Sequence, residues 1–138
     1  MPIAGAIIHR GGKHFTGPIT SSVGFGSKVG DGGSVTQATN RTTGVTLNKV
    51  SGAITTNTAS LAAEATADFI VTNSKVEIND VVAVSVRSGA NGGGTTVSII
   101  GVAAGTFTIR VHNGNVAAGT AETGAIIINF VVLKGASA

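Results

Sequence analysis

Hydrophobic and polar positions alternate along two stretches of the chain with the period of a half-buried strand. In "VAVSVRS" (82–88), Val82, Val84 and Val86 point one way and Ala83, Ser85 and Arg87 the other. In "FTIRVHN" (107–113), Phe107, Ile109 and Val111 oppose Thr108, Arg110 and His112. A period of two places one set on a core and the other outside it. "GVTLNKV" (44–50), "GAITTNT" (52–58), "DFIVTN" (68–73) and "TTVSIIGV" (95–102) are rich in Val, Ile and Thr and predict further strands. Turn signals separate them at Thr43-Gly44, Ser51-Gly52, Asn79-Asp80, "SGANGGG" (88–94), "AAGT" (103–106), "NGN" (113–115) and a second "AAGT" (117–120). Short strands at regular spacing with such punctuation predict an all-β chain built as an antiparallel β-sandwich. "TASLAAEATADF" (58–69) is too short and threonine-rich for a helix and reads as a strand edge and a turn.

Two regions depart from the alternation. "AIIINFVVL" (125–133) is apolar on both faces except at Asn129. An uninterrupted run implies cover on both sides, and predicts the most buried segment of the chain. Its second cover comes from the N-terminal arm or from a neighbouring subunit. Residues 1–33 carry single hydrophobes (Ile3, Ile7, Ile8, Phe15, Ile19, Val23, Phe25) among frequent glycines, with no sustained period. They predict an extended N-terminal arm and glycine-rich hinge, ordered by lying on something else. The sandwich domain is expected over 34–138.

Composition sharpens this picture. Apolar residues make up 42% of the 138 residues, enough for one core. Charged residues are only 11%, against about 25% in an ordinary soluble domain. Such a surface is covered by Thr, Ser, Asn and Gly, or is hidden against other subunits. The net charge of +3 belongs to the N-terminal segment, where Arg10, Lys13 and Lys28 face only Asp31. The absence of basic clusters, Tyr and Trp argues against nucleic-acid binding. No cysteine is present, so no disulfide or thiolate site forms. No apolar run reaches membrane-spanning length, and no export signal is legible, so a cytoplasmic product without a membrane partner is expected.

Candidate chemistry fails on spacing. "GFGSKVGDGG" (24–33) places Lys28 after Ser27 and before Val29, not directly after glycine as a phosphate loop requires. "RGGKHF" (10–15) has His14 where a hydroxyl is needed. His9, His14 and His112 lack converging partners for a metal. Glu64, Asp68, Glu77, Asp80 and Glu122 are scattered near turns and read as solvated charges or Asx-turns. No nucleophile elbow occurs. No enzyme activity, cofactor or metal is expected. A lectin-like platform would need exposed rings, whereas Phe69, Phe107 and Phe130 fall at inward positions.

The motifs T-x-x-x-T-G-V-T-L-N-K-x-S-G-x-I-T, L-A-A-x-A-x-A-x-F-x-V-x-N and D-V-V-x-V-S-V-x-S-G run through 35–89, followed by "AAGTFTIRVHN" and "AIIINFVVLK". This texture, over roughly 35–134, resembles small structural proteins encoded among the head genes of tailed bacteriophages. The resemblance implies a capsid decoration (cement) protein with a jelly-roll-like fold. Such a protein assembles as a homo-oligomeric dimer or trimer on the outer capsid surface of the virion and bridges major capsid proteins. On that reading Ile3, Ile7, Ile8, Phe15, Ile19 and Phe25 anchor the arm on the capsid or a sister subunit. Arg10, Lys13 and Lys28 pair with acidic groups there. The alternative is a receptor- or carbohydrate-binding module on a virion appendage, presenting a polar loop such as 88–94 at a free tip.

Overall fold

The computed structural model describes residues 30–91, 93–117 and 119–136. These contain eight strands and no helix: β1 (Gly33–Thr36), β2 (Val45–Thr46), β3 (Ser51–Thr55), β4 (Thr66–Thr72), β5 (Val81–Ser88), β6 (Thr95–Ala103), β7 (Thr106–Asn113) and β8 (Ile127–Leu133). They form two four-stranded sheets. Sheet I has the order β1-β3-β8-β5, and sheet II the order β2-β4-β7-β6. The inward faces share one core. Ile54, Val82, Ile128, Phe130 and Val132 of sheet I meet Phe69, Val71, Phe107, Ile109 and Val111 of sheet II. Phe107 and Phe130 join the layers with ring centroids 5.4 Å apart and planes tilted by 51°.

The sheets are mixed, which corrects the antiparallel expectation. β1 runs parallel to β3 and β2 parallel to β4, at one edge of each sheet. The reason is the path of the chain. From β1 to β6 every connection crosses to the other sheet. Each crossing reverses direction, so a strand two places on returns to its sheet running the same way. The parallel edge of sheet I also needs glycine. A Cβ on Gly52 would lie 2.7 Å from the Gly33 carbonyl oxygen and 2.9 Å from Leu47.

Most of the alternating stretches are strands in the expected orientation. Phe107, Ile109 and Val111 are buried, and Val82, Val84 and Val86 all face the core. Residues 58–69 form no helix: Leu61 bridges Glu122, a turn follows, and β4 starts at Thr66. Three details differ. Only Val45–Thr46 of 44–50 is a strand: the Leu47 amide still bonds to the Thr72 carbonyl of β4, and the chain then turns, with the Lys49 amide bonded back to the Leu47 carbonyl. Ser51-Gly52 lies inside β3 rather than in a turn, and Gly33–Thr36 is a strand. β7, not β8, is the most buried strand: its outward residues are half-buried, while Asn129 and Leu133 of β8 are exposed. β8 pairs on both sides, with β3 and β5, but its outer face has no cover among the described residues.

Replacing Phe107 by Ala removes the ring that joins the two layers. The expected loss is about 3–5 kcal/mol, read as a lowered urea midpoint with unchanged slope.

Candidate functional site

The two poles of the sandwich are closed by polar clusters that fix the loops. At one pole stand the β1–β2, β3–β4, β5–β6 and β7–β8 connections. Arg41, almost wholly buried, sits at its centre. Its Nε donates to the Ala59 carbonyl, one terminal nitrogen donates to Thr56 Oγ1 at 3.1 Å, and the other to the Glu122 and Gly124 carbonyls at 3.1 and 2.9 Å. Burial lowers the guanidinium pKa and the Glu122 carboxylate partly restores it; arginine stays charged regardless. The Glu122 carboxylate is itself fully buried. It accepts from the Asn91 and Gly124 amides and the Thr95 hydroxyl. Gln37 donates to the Arg41 and Thr43 carbonyls at 3.0 and 2.8 Å and accepts from the Asn57 amide. Gly124 allows the loops to touch, since a Cβ there would lie 1.9 Å from the Gly89 oxygen.

The opposite pole gathers the β2–β3, β4–β5 and β6–β7 connections, together with residues 30–32 and 134–136. The Asp80 carboxylate is buried and accepts from Lys134 Nζ at 2.7 Å, the Glu77 amide at 2.8 Å and the Gly135 amide at 3.0 Å. The Lys134 hydrogen bond, foremost, lowers the Asp80 pKa, and the same contact raises that of Lys134. Asp80 and Glu122 are therefore buried organising groups, which corrects the expectation of solvated charges or Asx-turns at these positions. Both sit where a polar residue follows a turn, so local sequence offers no sign of their burial. Among the described residues every buried side-chain nitrogen or oxygen has a hydrogen-bond partner.

The outer faces differ. On sheet II, Arg110 and Asp68 form a bidentate pair at 2.8 and 2.7 Å across β7 and β4, with the Asp68 pKa lowered chiefly by that bond. Beside it lies a shallow depression of about 410 Å3 lined by Thr42, Gly44, Asp68, Phe69, Ile70 and Thr108. On sheet I the outward row carries no charge. Val131 lies between Ser51 and Ala83, Asn129 between Ala53 and Ser85, and Leu133 beside Val81. Arg87 falls at the β5 bulge and is exposed. No group of three or more His, Asp or Glu residues among the described residues is arranged to hold a metal ion.

The expected contact residues Ile3, Ile7, Ile8, Arg10, Lys13, Phe15, Ile19, Phe25 and Lys28 all lie outside the described residues. His9 and His14 do too, while His112 is half-buried on the outer side of β7. No protein-family model, curated protein or solved structure matches the chain.

Arg41→Ala strands a buried carboxylate and three carbonyls, and is expected to lower stability by about 3–5 kcal/mol. In combination with Glu122→Ala the loss should fall short of the sum of the two, in a chemical-denaturation cycle. Asp80 has a folded pKa below its ordinary 3.8. Its contribution is thus present above that value and lost as pH falls through the lowered one. Asp80→Asn should destabilise the protein at neutral pH, with the gap to the natural chain closing in acid, measured by urea midpoints along a pH series.

Proposed function

We propose that the protein is a virion structural component: a decoration, or cement, protein that binds the outer capsid surface and bridges major capsid proteins. The observation that carries this reading is how the fold disposes of its charge. Arg41 and Glu122 are buried, and Asp68, Arg110, Asp80 and Lys134 are paired within the sandwich. The exterior keeps a few exposed charges, at Asp31, Glu64, Lys75, Glu77 and Arg87, among uncharged Thr, Ser, Ala and Val, and exposes Ile70, Ile78, Val81, Ile100, Val116 and Leu133. A surface so poor in free charge suits repeated contacts with sister copies and a shell. The resemblance of 35–134 to small phage head proteins points the same way.

The jelly-roll-like character belongs to this proposal. Its support is the alternation of successive strands between the two sheets, interrupted only by the β6–β7 hairpin. The sandwich acts as a rigid body in a dimer or trimer. The segment 1–33 supplies the clasp, with Arg10, Lys13 and Lys28 as its cationic contacts. The action is mechanical and has no turnover. Each weak contact is multiplied over the many copies of a symmetric shell.

The full chain should co-sediment with undecorated heads built from the major capsid protein it accompanies. A chain lacking 1–30 should keep its β-sheet circular dichroism and stay in the supernatant. Full occupancy by the shortened chain would remove the arm from the mechanism.

A second reading, a carbohydrate-binding module, draws on the depression beside Asp68 and Thr108. Binding on a glycan array that is lost in Asp68→Ala would favour it over cement.

A further inference from the structure

We propose that residues 19–25 of the chain dock onto the outer face of their own sheet I, covering Val81, Ala83, Val131 and Leu133. The inference does not rest on the capsid reading. It starts from where the exposed apolar side chains lie. Ile78 is 69% exposed, Val81 60% and Leu133 55%. All three sit at the pole where the chain enters β1, and two of them belong to the uncharged face of sheet I.

The path of the chain favours this occupant. Gly33 pairs with Gly52 on β3, and Gly32 lies against the Ser51 carbonyl oxygen. The chain before Gly32 therefore joins sheet I at the level of its most apolar rows, Ser51–Val131–Ala83 and Leu133–Val81. From β1 to β5 is three inter-strand steps, about 14 Å at ~4.8 Å each. Residues 26–32 ("GSKVGDG") span about 23 Å when extended, enough to bring 19–25 over β8 and β5.

The sequence of that stretch fits a flat apolar face. In "ITSSVGF" (19–25), Ile19, Ser21, Val23 and Phe25 share one parity, three of them apolar, and Thr20, Ser22 and Gly24 the other. An extended segment would press the first set on the sheet and turn the second to water. No charge of either sign occurs within 19–25, matching the uncharged face.

A second copy fits less well. Four strands of four to eight residues, 24 residues in all, present roughly 380 Å2, about half of the ~800 Å2 that each partner usually contributes to a stable interface. A tethered segment needs far less, because its local concentration is in the millimolar range. Docking of 19–25 also divides the arm: residues 1–18, with Ile3, Ile7, Ile8, Arg10, Lys13 and Phe15, remain to reach a partner, beside Lys28 of the linking stretch.

The test uses the full chain, which has no cysteine of its own. A Val23→Cys, Ala83→Cys variant is treated with a short bismaleimide at low protein concentration. A Val23→Cys, Thr108→Cys variant reports chance encounters with sheet II. Cross-linking within one chain, about tenfold faster or more than in the sheet II variant, is expected from the tethered concentration. Equal rates overturn the proposal, and so does cross-linking only between chains, which would give the face to a second copy. Independently, Val131→Asp should speed trypsin cleavage after Lys28 about tenfold, because cleavage follows the undocked fraction. An unchanged rate overturns the proposal. Neither readout involves a capsid.

Discussion

One guanidinium, that of Arg41, ties three loops of the sandwich together. Its donors reach carbonyls at residues 59, 122 and 124 and a hydroxyl at residue 56. These groups come from the connections that carry the chain between the sheets. Removing them from water without a common donor would leave several orphaned acceptors in a closed space. The Glu122 carboxylate then places a negative charge beside the cation and takes up the Asn91 amide, so the β5–β6 loop is fixed as well. The apolar layers meet below this cap. The inward-facing phenylalanines and the buried valines and isoleucines around them hold the sheets together, and the polar cap decides how the loops above them are joined.

Much of the fold is legible in the sequence because a strand with one wet face writes its period directly. The 82–88 and 107–113 segments fix which side chains face inward, and the structure agrees residue by residue. Direction is not written in the same way. Whether Val35 lies beside Ile54 in a parallel or an antiparallel sense depends on the number of crossings between them, a property of the whole chain. Burial of charge was equally invisible. Arg41, Asp80 and Glu122 occupy loop-like contexts of Asn, Thr and Gly, and only the convergence of distant loops encloses them. The apolar run 125–133 predicts cover on both sides, whereas the described residues cover one.

The exterior is specialised by face. Sheet II carries a charged pair with a shallow depression beside it, whereas sheet I presents an uncharged plane. The pole opposite the Arg41 cap brings together residues 30–32, the end of β8, and the Asp80–Lys134 contact. The Asp80 carboxylate thus ties the end of β8 to the β4–β5 loop, through Lys134 and Gly135 on one side and the Glu77 amide on the other.

The position of β8 also governs the order of assembly. It is synthesised after the other seven described strands, yet it lies inside sheet I and supplies the ladder for both β3 and β5. Sheet II can gather around the β6–β7 hairpin while translation continues. β3 and β5 must wait for residues 127–133 to clear the ribosome. Until then their edges are open to foreign strands, and a nascent chain stalled before residue 127 is an aggregation hazard.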